Sequence, residues 1–328
     1  MTVATRPRLG FLGVGWIGRH RMEALARAGV AEVAAVADPQ AEALRAAAEA
    51  APQAGLAGSL EELLEHELDG IVIATPSALH ADQAVAALSR GLAVFCQKPL
   101  GRDTEETRRV LAAARAADRL LAVDLSYRHV HALQAAQLVA AEGEIGDVHS
   151  LDLVFHNAYG PDKPWFTDPE LAGGGCLIDL GTHLVDLALW FTGAADYEVE
   201  TARTLSLRGH EVEDQATAEL TLALDVRARL ACSWFQPAGG ECAFECTARG
   251  SEGAVSVRNV GGSFYDFRAE LWRGTEAETL VEPPDEWGGR AIAAWAERLG
   301  SDRGYDPAAD ELEVLAETID AVYAEAGR

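Results

Sequence analysis

A glycine motif near the start of the sequence has the spacing of a dinucleotide-binding turn. The letters GVGWIG place Gly13, Gly15 and Gly18 in the pattern G-x-G-x-x-G, directly after the apolar run RLGFLG. The first glycine permits a tight turn, the second lets the backbone approach a pyrophosphate, and the third lets a helix pack closely on a strand. Asp38 follows twenty residues after Gly18, where a carboxylate can accept hydrogen bonds from ribose hydroxyl groups. The spacing therefore predicts a dinucleotide site.

The residues that follow Asp38 favour NAD over NADP. Its carboxylate would repel the 2′-phosphate of NADP, and neither Pro39 nor Gln40 offers a positive charge to bind that phosphate. We predict NAD as the cofactor, with Trp16 and Ile17 of the glycine motif also in contact with it. The alternative is a glycine turn that only joins core elements, with Asp38 acting as an ordinary helix cap.

A lysine in the segment FCQKPL is a candidate for the chemical step. Lys98 is one of only two lysines in the chain, and it follows a short apolar run that predicts a strand. An ammonium group is compact and, unlike a guanidinium group, loses its proton readily when buried. It can hold a hydroxyl oxygen and stabilise the negative charge that develops there as hydride leaves the carbon. The alternative is a solvated loop lysine, and Pro99 after it is a candidate for a cis peptide bond.

The motif ATPSALH places further candidates after another predicted strand. Thr75 and Pro76 end the run GIVIATP, which is typical of a parallel strand covered on both faces. Doubly wound sheets bind their ligands at the carboxyl ends of such strands. We therefore predict that Thr75, Pro76 and His80 contact the cofactor, and a surface helix histidine is the alternative for His80.

An aspartate and a histidine in the run GGGCLIDLGTHLVDLALW form a candidate acid–base pair. Asp179 and His183 are four residues apart, so they share one face of a predicted helix. A carboxylate behind an imidazole orients it and strengthens it as a general base for a hydroxyl proton. The alternative is a helix histidine satisfied by a neighbouring acid. Two ligands do not make a metal site, so we predict no metal.

Two domains are predicted from the order of helices and strands. The first 125 residues alternate short buried strands with helices, as a doubly wound parallel sheet does, and we assign 1–125 to an NAD(P)-binding Rossmann domain. The predicted strands are 8–13, 32–38, 70–76, 92–96 and 120–125, and the predicted helices are 16–28, 40–50, 77–89 and 103–117.

The remainder, 126–328, is predicted to be an α+β domain with a large, mostly antiparallel open sheet. Strands with strict alternation follow one another there, which is the pattern of a sheet with one face on a core. The first set of inward residues is Ala216, Ala218, Leu220, Leu222 and Leu224, and the second is Val226, Ala228, Leu230, Cys232 and Trp234. Helices are predicted at 131–141, 176–191, 288–299 and 307–326, and a strand at 147–157.

Composition excludes several classes of protein. The net charge is −25, and without a basic stripe we predict no nucleic-acid partner. We find no apolar window of about 20 residues, so we predict no contact with a membrane. The N-terminal stretch lacks the pattern of a signal peptide, and the five scattered cysteines suggest reduced thiols, so we expect a cytoplasmic location.

Together these motifs resemble the glucose–fructose oxidoreductase / inositol dehydrogenase / MocA family over nearly the whole chain. The matching segments are GVGWIG, ATPSALH, QKPL, GEIGDV, the glycine-rich run that leads to His183, and VEDQATAEL. The resemblance implies a nicotinamide cofactor, a sugar or cyclitol substrate, and a homodimer or homotetramer. It also implies that Lys98 is catalytic, with Asp179 and His183. One departure is Gln97, which stands where the family usually has glutamate.

The function expected from this resemblance is NAD-dependent transfer of hydride at a secondary hydroxyl group of a sugar, an inositol-like cyclitol or a related compound. His183 would take the hydroxyl proton while Lys98 steadies the oxygen, although the two residues could exchange these roles. The candidates for the substrate pocket are Tyr127, Arg128, Lys163, Trp165 and Phe166, and the candidate cofactor contacts extend to Gln97 and Lys98. The alternatives are a glycoside-processing enzyme that retains its NAD, and a non-catalytic dinucleotide-binding sensor.

Overall fold

The chain divides into two units. In the computed structural model, which describes residues 6–327, one unit comprises the chain up to Ser126 together with Gly288–Glu313. The other comprises Tyr127–Trp287 together with the chain from Val314 onward. The first unit therefore includes a late segment that the sequence analysis assigns to the second domain.

The first unit is a six-stranded parallel sheet with helices. Its strands are β1 (Arg8–Leu12), β2 (Glu32–Ala37), β3 (Gly55–Ala57), β4 (Gly70–Ile73), β5 (Ala93–Cys96) and β6 (Leu121–Val123). Its first helices are α1 (Trp16–Ala28), α2 (Ala41–Ala50), α3 (Leu60–Leu63), α4 (Ser77–Ser89) and α5 (Thr104–Ala117). The strand order is β3-β2-β1-β4-β5-β6, which is the order of a Rossmann sheet and confirms the predicted fold class.

The second unit is built on an eight-stranded sheet. Its strands are β7 (Val148–Asn157), β8 (Tyr197–Leu205), β9 (Gln215–Leu222), β10 (Val226–Ser233), β11 (Cys242–Gly250), β12 (Ala254–Asn259), β13 (Phe267–Arg273) and β14 (Glu276–Val281). Helices α6 (His131–Ala141), α7 (Pro169–Ala172) and α8 (Thr182–Thr192) accompany it, and α9 (Arg290–Ser301) and α10 (Glu311–Glu325) end the chain. The strand order is β14-β13-β12-β11-β7-β10-β9-β8. Only the β7–β10 pair is parallel among the described strands of this sheet.

Helix α9 belongs to the first unit because its apolar face completes that unit's core. Its side chain Trp295 packs on Phe95 of β5, with the ring centroids 5.5 Å apart. Ile292 and Leu299 of the same helix are buried in the cluster that contains Leu9 of β1. Burying one such large apolar side chain contributes about 2–3 kcal/mol. The assignment of all residues after 125 to one domain was therefore wrong for this helix.

The alternating strands of the second unit bury the predicted face, with one exception. The inward residues of β10 are all buried, as are Cys242, Phe244 and Cys246 of β11. Leu224, however, lies in the turn that joins β9 to β10, with a φ of 62°, and it is 93% exposed. The prediction that Leu224 faces inward was wrong because β9 ends at Leu222. A left-handed leucine costs about 1–2 kcal/mol.

One helical run in the second unit is apolar enough to cross a membrane by length and composition alone. This run is Pro169–Thr192; a helix was predicted at 176–191, but its resemblance to a membrane span was not recognised. Its most apolar window is 83% buried inside the protein, as expected for a helix in the core of a folded unit. A single buried helix of this kind is weak evidence for a membrane span.

Candidate active site

The glycine turn after β1 has a geometry that only glycine fits at two positions. Gly13 has a φ of +83°, and a Cβ atom there would lie 2.5 Å from the carbonyl oxygen of Ala74. A Cβ atom at Gly18 would lie 2.0 Å from the carbonyl oxygen of Gly13. The tight turn and the close packing expected of these two residues are therefore both present.

The N-terminus of α1 is open to a ligand. Its N-cap residue is Gly15, and no side chain caps the first turn. Trp16, the first residue of α1, is 58% exposed and stacks on His20, with the ring centroids 5.8 Å apart. Uncapped amides and the positive end of the helix dipole are what a pyrophosphate requires.

Asp38 is held at the end of β2 by two backbone amides. Its Oδ2 accepts a hydrogen bond from Val14 N at 2.9 Å, and its Oδ1 accepts one from Gln40 N at 2.8 Å. Each carboxylate oxygen keeps a second lone pair for a ribose hydroxyl group. The Asp38 carboxylate can therefore accept hydrogen bonds from the backbone and from a ribose at the same time. This carboxylate, the glycine turn and the uncapped helix fit a nicotinamide dinucleotide.

His80 braces two loops at the carboxyl edge of the Rossmann sheet. It is 1% exposed, its Nδ1 lies 2.7 Å from Pro99 O, and its Nε2 lies 2.7 Å from Thr75 O. Burial lowers the pKa of His80, while the two carbonyl oxygens act in the opposite direction. Both ring nitrogens thus face backbone carbonyl oxygens and have a structural role, and the contact between His80 and the cofactor stays a prediction. Pro76 is the N-cap of α4.

The loop after β5 begins with Gln97 and Lys98. The Gln97 side chain is buried, whereas Lys98 is half-buried, and the Lys98–Pro99 peptide bond is cis. The amide of Gln97 donates to Oδ2 of Asp124, and Nε of Arg21 donates to the same oxygen at 2.6 Å. Neither Asp124 nor Arg21 was predicted from the sequence as a site residue, and Asp124 lies within the predicted strand 120–125.

In the second unit, Asp179 lies in a π-helical turn that precedes α8. This turn spans Leu177–Gly181 and departs from the regular helix predicted for 176–191. Such wide turns are rare and recur at functional sites. The Oδ2 atom of Asp179 accepts a hydrogen bond from Nε1 of Trp234 at 3.0 Å. Trp234 is therefore a further residue near Asp179. The sequence pattern placed Trp234 only on the inward face of a strand and did not reveal this contact.

His183 follows one turn later and lies in an aromatic environment. It is 7% exposed, and its ring centroid lies 4.7 Å from that of Tyr127 and 6.3 Å from that of Phe155. Tyr127 also stacks on Phe244 at 5.2 Å. An imidazole in such surroundings is held in one orientation by packing, which suits a group that must meet a substrate proton.

The remaining predicted pocket residues differ in their contacts and exposure. Arg128 forms a two-pronged ion pair with Asp186, with Nη2 at 2.7 Å from Oδ1. Trp165 and Phe166 stack with centroids 3.9 Å apart, and Phe166 meets the ring of Trp234 edge-on at 6.4 Å. Lys163 in the same loop is exposed. Trp165 and Phe166 are thus connected to Asp179 through Trp234. The guanidinium group of Arg128 is instead paired with the carboxylate of Asp186.

Within residues 6–327, all five cysteines are free and buried. No group of three or more histidine, cysteine, aspartate or glutamate side chains in this part of the chain could hold a metal ion.

Two family descriptions match this chain. Residues 7–125 match "Oxidoreductase family, NAD-binding Rossmann fold" of the Gfo/Idh/MocA group, and residues 133–256 match the "GFO/IDH/MocA C-terminal domain". The D-xylose 1-dehydrogenase (NADP(+)) 2 of Haloferax volcanii is 30% identical over 322 residues, which is 96% of this chain and 95% of that protein. The chain belongs to the Gfo/Idh/MocA family. The resemblance inferred from its motifs is thereby confirmed.

Further relatives include two solved structures that share the fold and contain different cofactors. The rhizopine catabolism protein MocA of Rhizobium meliloti is 32% identical over 61% of this chain and 62% of its own length. GenD2 from gentamicin A biosynthesis, solved with NAD, has a TM-score of 0.84 at 27% identity, covering 98% of this chain and 95% of that one. KijD10, a 3-ketoreductase from Actinomadura kijaniata solved with NADP, has a TM-score of 0.86 at 25% identity and covers 98% of both chains. The chain is therefore an oxidoreductase with an NAD(P)-binding Rossmann domain.

Proposed function

We propose that this oxidoreductase transfers hydride between NAD and a secondary hydroxyl group of a sugar, a cyclitol or a related compound. The observation that carries the proposal is the position of Lys98, which follows β5 at the same carboxyl edge of the parallel sheet as the glycine turn after β1. Ligands of open parallel sheets bind at that edge. An ammonium group there lies where a reacting oxygen would need it.

Each candidate residue has a defined task in the proposed reaction. The glycine turn would hold the pyrophosphate of the cofactor, and Asp38 would hold the adenosine ribose. A nicotinamide dinucleotide, when bound, supplies the acceptor or donor of hydride. Lys98 would donate a hydrogen bond to the substrate oxygen and stabilise its negative charge. His183 would take the hydroxyl proton, in surroundings that include Asp179 and Trp234.

The names of the relatives support a carbohydrate as the substrate. Besides the xylose dehydrogenase, the 1,5-anhydro-D-fructose reductase of Ensifer adhaerens is 29% identical over 77% of this chain and 76% of that protein. One of these proteins is named for an oxidation and the other for a reduction. For this chain we infer a small carbohydrate or a close derivative, interconverted with the corresponding ketone.

Asp38 is expected to set the preference for NAD. Replacing Asp38 by serine removes the charge that repels a 2′-phosphate and one charged hydrogen-bond acceptor for the ribose. Because such a hydrogen bond contributes about 1.5–3 kcal/mol, the ratio of kcat/KM for NAD to that for NADP should fall by about 10- to 100-fold. Steady-state kinetics with both cofactors measures this ratio. Glu42→Ala, which removes an exposed acid on α2, should leave the ratio unchanged, and a wild-type preference for NADP would contradict the assignment.

The substrate class is tested by a panel assay. Purified protein is offered polyols, inositols, aldoses, glycosides and sugar acids with NAD and, separately, with NADP, while the absorbance of the reduced cofactor is followed. We expect reduction of NAD by one structurally related group of compounds. Cleavage of a glycoside without net formation of reduced cofactor would replace the proposal by a glycosidase that retains its cofactor. Tight cofactor binding without any turnover would replace it by a sensor.

A further inference from the structure

A buried carboxylate lies next to the loop that carries Lys98. Asp124 follows β6, is 1% exposed, and accepts hydrogen bonds at Oδ2 from both Arg21 and Gln97. Its backbone N–H donates to Cys96 O at 2.8 Å, so Asp124 lies beside the last residue of β5. Its Oδ1 is buried and accepts no hydrogen bond from the described residues. A carboxylate buried in this way requires compensation by its neighbours.

The charges around Asp124 balance only because residue 97 is neutral. The groups that face Asp124 are Arg21 and its neighbour His20 on α1, Gln97 after β5, and the thiol of Cys96. Burial and, secondarily, the charge of Asp124 raise the pKa of Cys96, so the thiol stays neutral. Arg21 donates from Nη1 to Nδ1 of His20 at 3.0 Å, and burial and Arg21 lower the pKa of His20, which favours the neutral ring. One guanidinium therefore compensates one carboxylate.

The hydrogen bonds of Asp124 join helix α1, which follows the glycine turn, to the loop that carries Lys98. Arg21 lies on α1, which begins at the glycine turn, and Gln97 directly precedes Lys98. Asp124 connects these two side chains through a single oxygen atom. Any shift of Gln97 would move the backbone of Lys98, because the two residues are adjacent and the first is anchored in the core.

We propose that Asp124 is a positioning residue for Lys98, which it holds through the side chain of the adjacent residue Gln97. This proposal rests on the proposed function for its catalytic part. Gln97 and Asp124 form a matched pair in which the amide donates and the carboxylate accepts. A glutamate at 97 would be incompatible with a charged Asp124, since its oxygen would take the place of the amide nitrogen against Oδ2.

The variant Gln97→Glu tests this pairing without any need for activity. Two carboxylates in contact cannot both be charged, so the folded pair would bind a proton more tightly than either carboxyl group in the unfolded chain. The stability that this proton provides is present at low pH and is lost as the pH rises. Relative to wild type, the melting temperature of Gln97→Glu should therefore be close at pH 5 and lower by about 3 °C or more at pH 8.

The exchanged double variant Gln97→Glu/Asp124→Asn is the matched control. It keeps one carboxylate, one amide and one guanidinium, so the pH-dependent loss of stability should disappear. The pairing would be disproved if the difference in melting temperature between Gln97→Glu and wild type were the same at pH 5 and pH 8. It would also be disproved if the pH-dependent loss of stability persisted in the double variant.

Kinetics with the substrate found in the panel assay tests the positioning role. At pH 8, Gln97→Glu should lower kcat about tenfold and regain activity as the pH falls, whereas the dissociation constant for NAD should change less than threefold. The double variant should recover kcat to within about threefold. A normal kcat in Gln97→Glu at pH 8, despite the predicted melting behaviour, would overturn the positioning role. An inactive wild type would instead overturn the proposed function and leave the melting series to decide the pairing.

Discussion

Replacing Lys98 by alanine should lower kcat by about a thousandfold, while the dissociation constant for NAD changes by less than about threefold. The proposed role of the ammonium group is to stabilise charge that develops on the substrate oxygen, and loss of one such donor typically costs a factor of 100–1000. In the proposed site, the cofactor is held mainly by other residues, namely the glycine turn and Asp38. Steady-state kinetics and a fluorescence titration with NADH measure the two effects.

Two control variants separate the lysine from its surroundings. Lys98→Arg keeps the positive charge but replaces a compact group by a broad one. We expect its kcat to be at least about 30-fold below that of wild type. Arg102→Ala, in the same loop, removes a side chain whose ion pair is with Glu106, and it should retain kcat within about twofold. Near wild-type turnover in Lys98→Ala would remove the residue from the mechanism.

Replacing His183 by alanine should lower kcat by about 100- to 10,000-fold, which is the range expected for loss of a general base. The ring is enclosed by Tyr127 and Phe155, so its removal leaves a space of the shape of an imidazole. Added imidazole should therefore restore part of the activity of His183→Ala. A thermal melt checks that the variant remains folded.

The exposed histidine of β7 provides the matching control. His149 lies in the same unit as His183 but faces solvent, so His149→Ala should keep full activity with no response to imidazole. If His183→Ala were folded and lost activity without any rescue, and Lys98→Ala were rescued by added amines, the proton would be assigned to Lys98 instead. Full activity in His183→Ala would contradict both assignments.

The first unit was largely predictable because its boundaries have strong local signals. Helix α1 occupies the predicted 16–28, opening after Gly15 and closing at Gly29, whose φ is 70°. Helix α4 occupies the predicted 77–89 and begins directly after Pro76. The pair β3 and α3 was missed because a three-residue strand and a four-residue helix are too short to show a periodicity.

The candidate residues could be chosen from the sequence, but the contacts that join them to their neighbours could not. Gly13, Asp38 and Lys98 lie at or just after strand ends that the sequence marks clearly. The pairing of Arg21 with Asp124, however, joins residues 103 positions apart, and no local pattern specifies such a contact. The π-helical turn at Leu177–Gly181 was missed for a different reason. An apolar run indicates a helix, but it does not indicate that a single turn within the helix is wider than the others.

The most direct test of the central claim is to follow the hydride itself. NADH carrying deuterium at the transferable position, prepared in both stereochemical forms, is incubated with the enzyme and a mixture of keto sugars and keto cyclitols, and the products are analysed by mass spectrometry. We predict that one form delivers its deuterium to a carbon that becomes a secondary alcohol, and that Lys98→Ala abolishes this transfer. Products without deuterium from either form, or no reduced product at all, would contradict the assignment of the chain as a sugar or cyclitol oxidoreductase.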